Sequence, residues 1–281
     1  MIVKFIYKLF LSIIFTLLAT LNTYALDIEL KPDEVNPGDI IFLKADYDTT
    51  SYPEAEFLGK KIKFYRTGKE YLIALIPVEV STQPGDYTVS IKDGEERQNL
   101  NVKVKSYEFP SKKLTVSEDK VTLSAKDEKR VEEEYLLQNK LWEMSSKKAW
   151  NGGFIMPTDT PVSEVFGVKR IFNEKKNSVH RGIDLKGKTG TPVRAINSGR
   201  VVLRKNLFYG GDTLILDHGM GLLSVYMHMS EFKVPEEAVV EKGEIIGFVG
   251  MSGRATGPHL HMSVKLQGVS VNPLSLIGLD L

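Results

Sequence analysis

The sequence predicts a mainly β protein: an N-terminal small β-sandwich of immunoglobulin-like kind, a connecting helix, and a C-terminal antiparallel β-sheet domain. Three observations carry that prediction. Residues 27–105 alternate apolar and polar positions between closely spaced turn signals. Residues 124–148 place apolar side chains at helical spacing. From about residue 151 the chain is again strand-like, rich in glycine and without βαβ alternation.

Taken from the start, Lys4 and Lys8 precede the apolar run LFLSIIFTLLATL at 9–21, and Thr23-Tyr24-Ala25 supplies a small-x-small cleavage site. Residues 1–25 thus read as a secretory signal peptide cleaved after Ala25, with export to the periplasm or cell envelope and no stable membrane anchor after cleavage. The apolar run is short for a membrane span, which takes about 20 residues. The chain has no cysteine, which excludes lipid attachment at a cysteine and a disulfide framework. Its 37 Lys and Arg against 36 Asp and Glu leave it near neutrality, so no charge excess favours nucleic acid or an anionic membrane.

The sandwich, residues 26–105, is read from LDIELKP, NPGDIIFLKADY, EAEFLGKKIKFYR and EYLIALIPVEV, followed by a hairpin turning at Asp93-Gly94. It holds no histidine, and its acids and lysines read as solvated strand faces. Residues 106–150 form a helical connector in which Ser124 is the N-cap. Val131, Tyr135 and Trp142 lie along one side of that helix, with Leu137, Leu141 and Met144 adjacent. No long Gly/Ser-rich linker separates the pieces, so they are expected to pack together, the connector either positioning the last domain or covering its groove. That last domain spans 151–281.

All five histidines fall between residues 180 and 261: His180, His218, His228, His259 and His261. Isolated core or surface histidines have no reason to cluster; a metal or charge-relay site has one. In HRGIDLKG, His180 and Asp184 stand four apart, about 13 Å in a straight strand. If both bind one metal the chain must bend between them, and Gly182 permits the bend. In HLH, His259 and His261 share one face of a strand. Either both bind a metal, or one binds while the other works beside it. His228, after the apolar strand of SVYMHMS, reaches toward the same cleft, whereas His218 reads as a structural turn residue. Tyr209 is a lesser candidate for the cleft.

HRGIDL, GTPVRAINSGRVV, DHGMGLLSVYMHMS and VEKGEIIGFVGMSGRATGPHLHMSV, in this order and spacing, resemble the lysostaphin/LytM-type zinc metallopeptidases that cut bacterial peptidoglycan peptides. The likeness covers about residues 155–275. It implies a C-terminal domain of that fold, one Zn2+ per chain held by His180, Asp184 and His261, and His228 with His259 as the catalytic pair. It also implies peptidoglycan peptide stems and cross-links as substrate, with D,D-endopeptidase action ahead of carboxypeptidase trimming. After the second histidine the family usually has an aromatic residue and often then an acid. Met262 and Ser263 stand there instead, so the cleft wall is expected to differ while the ligands do not. Some proteins with this domain have lost zinc ligands and act as non-catalytic activators of cell-wall amidases; here the whole set is present, which points to an enzyme. A purely structural zinc needs four closed ligands, and His259 is its one candidate for the fourth.

Overall fold

Alternation along the first strands sorts their side chains into two cores rather than one core and a solvated face. The structure, a computed structural model, describes residues 27–46, 52–67, 71–114, 123–174 and 176–281; the predicted signal peptide lies outside them. Among these residues the first strands are β1 (Ile28–Lys31), β2 (Glu34–Val35), β3 (Ile40–Asp46), β4 (Glu54–Phe57), β5 (Lys60–Lys63), β6 (Tyr65–Thr67), β7 (Tyr71–Pro77), β8 (Gly85–Asp93) and β9 (Glu96–Val104). They build two facing sheets, β1-β3-β7-β6 and β2-β9-β8-β4-β5. The β8–β9 hairpin turns at Gly94, whose φ of 56° suits a residue without Cβ. Ile41, Leu43, Leu72, Ala74 and Ile76 point into the sandwich with Val89, Ile91 and Val102. The alternate residues Ile40, Phe42, Ile73 and Leu75 point the other way and join the core of the last domain. The sandwich therefore docks through the back of one of its own sheets.

The connector contributes more than a helix. Strand β10 (Ser111–Leu114) comes first, followed by helix α1 (Ala125–Trp142). The Ser124 hydroxyl caps the helix by accepting from Asp127 N–H. The helix ends at Trp142, short of the expected 148, and residues 144–150 run on as irregular chain. The side it turns to the sheet carries the buried Glu134 with the partly buried Leu137, Leu141 and Trp142, while Tyr135 is 62% exposed. This corrects the expected stripe. Leu137, Leu141 and Trp142 pack as expected, but a buried glutamate takes one position of the i, i+3, i+7 series, and the apolar pattern alone puts Tyr135 on the inner side in error.

The last domain carries β11 (Val162–Glu164), β12 (Lys169–Phe172), β13 (Lys176–Val179), β14 (Ile183–Lys186), β15 (Pro192–Arg194), β16 (Gly199–Leu207), β17 (Gly211–Gly219), β18 (Leu222–Phe232), β19 (Val239–Val240), β20 (Ile245–Val249), β21 (His259–Leu266) and β22 (Val269–Val271). A short helix, α2 (Pro273–Ile277), follows. The main sheet runs β11-β14-β21-β18-β17-β16-β19, and β20 pairs with both β15 and β18. Its pairings are antiparallel; the parallel pairing in this region is β10 with β12, in the small sheet β10-β12-β13. One face of the main sheet holds the large core, with Leu260, Met262, Val264, Leu222 and Tyr226. The opposite face holds Leu203, Ile215, Leu223 and Val225, on which α1 lies. Asn272 fastens the sandwich at the far edge: its backbone N–H donates to the Gly38 carbonyl and its side-chain amide to Asp39. No helix among the described residues is long and apolar enough to cross a membrane.

Candidate metal centre

Register decides which side chains can meet. On β21 the order HLHMSVKL buries Leu260, Met262, Val264 and Leu266 and turns His259, His261, Ser263 and Lys265 to the helix-bearing face. Met262 thus follows strict alternation with Leu260. Neighbouring β14 sets Asp184 directly opposite His261. The chain bends just before β14, which brings His180 back over Asp184. A Cβ at Gly182 would lie 2.5 Å from the Met262 carbonyl oxygen and 2.7 Å from His261 Nε2, so only glycine fits against that ring.

The result is a tight triad. His180 Nε2 lies 3.0 Å from Asp184 Oδ1 and 3.0 Å from His261 Nδ1, and His261 Nδ1 lies 2.7 Å from Asp184 Oδ1. The buried His180 donates from Nδ1 to the Val165 carbonyl at 2.8 Å, so its neutral form has a bare lone pair on Nε2. With both rings neutral, these three mutual contacts share at most one proton. The remaining lone-pair confrontations call for a cation at the point where the three donors converge. Two imidazoles and a carboxylate suit zinc, whose ligands in general lie about 3–3.5 Å from one another. Burial pushes the His261 pKa down, toward the neutral form a metal requires. Burial would raise the Asp184 carboxyl, but His180 and His261 outweigh it and hold the group well below the usual carboxylate range.

Asp184 is also held from behind. Arg170, on β12, donates to Oδ2 at 3.0 Å while Oδ1 faces the imidazoles. Glu164, on β11, accepts from Arg170 Nε at 2.6 Å and lies 3.7 Å from His180 Nδ1; Lys112, on β10, reaches Glu164 at 3.4 Å. Sequence reasoning missed this bracket. Arg170 and Glu164 sit in ordinary alternating strand text, and no spacing rule links them to Asp184; only the pairing of β11 with β14 and the fold of β12 do.

The other two histidines present matching chemistry. His259 accepts nothing at Nδ1: that nitrogen faces the Gly257 carbonyl at 2.8 Å, and Nε2 points inward, 3.9 Å from Asp184 Oδ1. His228 Nδ1 faces the Ser252 carbonyl at 2.9 Å. Since a carbonyl only accepts, both Nδ1 atoms carry a hydrogen, and in the neutral form of each ring the lone pair lies on Nε2. The two rings stand 4.7 Å apart, centroid to centroid. His228 occupies the bulge at which β18 leaves β21 and begins pairing with β20. Its φ is 62°, a left-handed conformation rare outside glycine, fixed by its N–H donating to the Gly210 carbonyl at 2.7 Å. Backbone strain of this kind concentrates at functional positions. Burial pushes the His228 pKa down to about 4.

His218 stands apart. It lies fully buried near the end of β17, between the Ser198 carbonyl (2.8 Å) and Ser224 Oγ (2.7 Å), and the chain continues through Tyr226 OH to Ile196 N–H. Tyr209 is 43% exposed, edge-on to Phe208 and under the Arg254 guanidinium. Among the described residues, none of 106–150 hydrogen-bonds to His180, Asp184, His228, His259 or His261.

Residues 178–273 match the family model described as peptidase family M23. The chain is 41% identical over 98 residues to the DD-carboxypeptidase/endopeptidase Mpg of Neisseria meningitidis serogroup B, covering 35% of this chain and 23% of that protein. It is 35% identical over 119 residues to the murein hydrolase activator NlpD of Salmonella dublin, covering 42% of this chain and 29% of that one. The matched stretch is thus about a quarter of the length of these curated relatives. A Pseudomonas aeruginosa chain whose crystal structure is described as a candidate peptidase M23 superposes with a TM-score of 0.64 at 28% identity, covering 86% of this chain and 94% of that one. That likeness extends the shared architecture beyond the matched domain into the segments before it.

Proposed function

From a chain that carries a peptidase family M23 domain, we propose a zinc-dependent peptidoglycan peptidase acting in the periplasm or cell envelope. His180, Asp184 and His261 are the metal ligands, and His228 with His259 form the catalytic pair. The observation that carries this reading is the convergence of three metal-type donors beside two imidazoles whose Nδ1 atoms are held by backbone carbonyls, leaving Nε2 for chemistry. When bound, zinc supplies a Lewis acid and a water acidified toward neutral pH. The protein's own part follows from its geometry. Asp184 presents one oxygen to the site because Arg170 holds the other. Val165, Gly257 and Ser252 fix three tautomers through their carbonyls. One of His228 and His259 takes a proton at Nε2 from the attacking water, and the other, protonated, steadies the oxyanion or gives its proton to the leaving amine.

The preferred reaction is D,D-endopeptidase cleavage of cross-links, with carboxypeptidase trimming second; the name of the Neisseria relative contains both. A second reading, a non-catalytic activator of cell-wall amidases, is favoured by the similarity to an activator. The complete donor set supports the enzyme instead. We assign residues 26–105, 106–150 and 151–281 as sandwich, connector and peptidase domain. Digestion of purified sacculi by the full-length protein, with fragments identified by mass spectrometry, tests the proposal. Uncross-linked monomers released from dimers are expected. Sacculi left intact, but digested once an amidase is added together with this protein and not by the amidase alone, would establish the activator.

A further inference from the structure

The strand pairing that assembles the triad also fixes a neighbour that the metal does not use. On β14 the side chains of Ile183 and Leu185 are fully buried in the large core, so Asp184 and Lys186 face the opposite way, toward the groove. Asp184 stands opposite His261 on β21, and Lys186 stands opposite His259. The four side chains form a two-by-two patch on one face of the sheet. Residues opposite each other in such a pair have Cβ atoms about 5 Å apart, and Lys186 lies about 7 Å along the strand from Asp184. On its other side His259 bridges to Gly250, at the start of the loop whose Ser252 carbonyl holds His228. Three members of the patch thus belong to the site already described, and the fourth is a cation.

Lys186 is exposed at its side chain but fixed at its backbone, where the N–H donates to the Pro161 carbonyl at 3.0 Å. Among the described residues no carboxylate pairs with its ammonium. The two carboxylates of this corner are already engaged, Asp184 by Arg170 and Glu164 by Arg170 and Lys112. A flexible four-carbon stem lets the ammonium reach a ligand lying over the triad and His259. A cation so placed favours an anion that arrives with the substrate. In a peptide, the main-chain groups on the acyl side of a bond are further amides, so a main-chain carboxylate next to the bond belongs to the residue that leaves. We infer that Lys186 binds a carboxylate carried on the carbon attached to the leaving nitrogen. The inference rests on the peptidase reading for which bond lies at the triad, and it narrows the substrate class to amides whose leaving amine has a carboxylate beside it. A terminal residue satisfies this, and so does a cross-link made through the amine of an amino-acid centre. A cross-link through an amine on a plain methylene chain does not.

The test is calorimetric titration of the full-length protein with a hydroxyethylene analogue of N-acetyl-D-alanyl-D-alanine, which cannot be hydrolysed. It is used once with its terminal carboxylate free and once with that group converted to a carboxamide. The acid is expected to bind about tenfold more tightly, the size of a charge-assisted contact. Lys186→Gln should reduce that ratio to about twofold or less by weakening the acid alone, with the carboxamide bound as before. Lys186→Arg should keep most of the ratio. Lys92→Gln, which removes the same charge from the sandwich strand β8, should leave it unchanged. A wild-type ratio near one would overturn the inference. So would a ratio that survives in Lys186→Gln, or one that falls as far in Lys92→Gln. The assay needs no turnover, so intact sacculi alongside a Lys186-dependent ratio would reject the peptidase reading and keep the carboxylate site. Digested sacculi with a ratio near one would do the reverse.

Discussion

At the scale of single residues, the two carboxylate oxygens of Asp184 have different tasks. Oδ1 meets the imidazoles, while Oδ2 is held by Arg170, itself bracketed by Glu164. Partners behind a metal ligand fix its orientation, and losing one typically costs 10- to 100-fold in metal affinity or activity. Arg170→Ala is therefore expected to weaken zinc binding about tenfold in competition with a chelating dye, and Arg170→Lys to recover part of the loss. Unchanged affinity in Arg170→Ala would make the bracket a surface ornament. His218 offers a test of stability instead. Burial holds its pKa at about 4, against 6.5 unfolded, so the unfolded chain binds the proton more readily. The stability that neutral His218 contributes is complete above pH 6.5 and is lost as pH falls toward 4. Between pH 7 and 5 the wild type should lose about 2 kcal/mol more than His218→Gln in urea unfolding. Equal slopes would contradict the buried neutral imidazole. The histidine cluster and the H-x-H pair were legible in the sequence because same-face placement follows from strand periodicity alone. Arg170 was not, since its approach to Asp184 depends on a strand pairing that no local pattern specifies.

Among elements, α1 joins sequence-distant parts of the site. Glu134, 8% exposed, accepts from the Phe208 backbone N–H at 2.8 Å and from Arg130 Nε at 2.7 Å. It thereby pins the turn that ends at Gly210, whose carbonyl holds the His228 N–H. Removing the carboxylate leaves a backbone N–H without its partner, at about 1–3 kcal/mol if it stays buried. Glu134→Ala is expected to lower turnover several-fold with zinc content intact, although Glu134 touches none of the five site residues. Full turnover would show that the turn holds its shape without the helix. The helix itself and its N-cap were readable from the Ser124 signal and the apolar spacing. Its inner face was readable at Leu137, Leu141 and Trp142 but not at Glu134, because a glutamate serving a loop sits where an apolar residue would be expected. Strand β10 went unread for a related reason: a four-residue strand pairing in parallel with a strand more than 50 residues away leaves no local signature.

For the whole molecule, the sandwich and the last domain are not independent bodies, since Ile40, Phe42, Ile73 and Leu75 lie in the same core as Leu260 and Met262. The continuous apolar text of IIFLKA and YLIALI records this: strands buried on both faces lose the alternation that marks a half-exposed sheet. Heating should give one cooperative transition for both parts. Phe42→Ala should lower the stability of the whole by about 3 kcal/mol, as large-to-small changes in cores do. Two separate calorimetric transitions in the wild type would contradict the shared core. The central claim, that three residues hold a metal while two imidazoles beside it move protons, is tested most directly by measuring bound zinc and sacculus digestion together in His261→Ala and His259→Ala. His261→Ala should lose both. His259→Ala should keep stoichiometric zinc while activity falls by about 10²–10⁴-fold. Zinc retained in His261→Ala, or lost equally from His259→Ala, would contradict it.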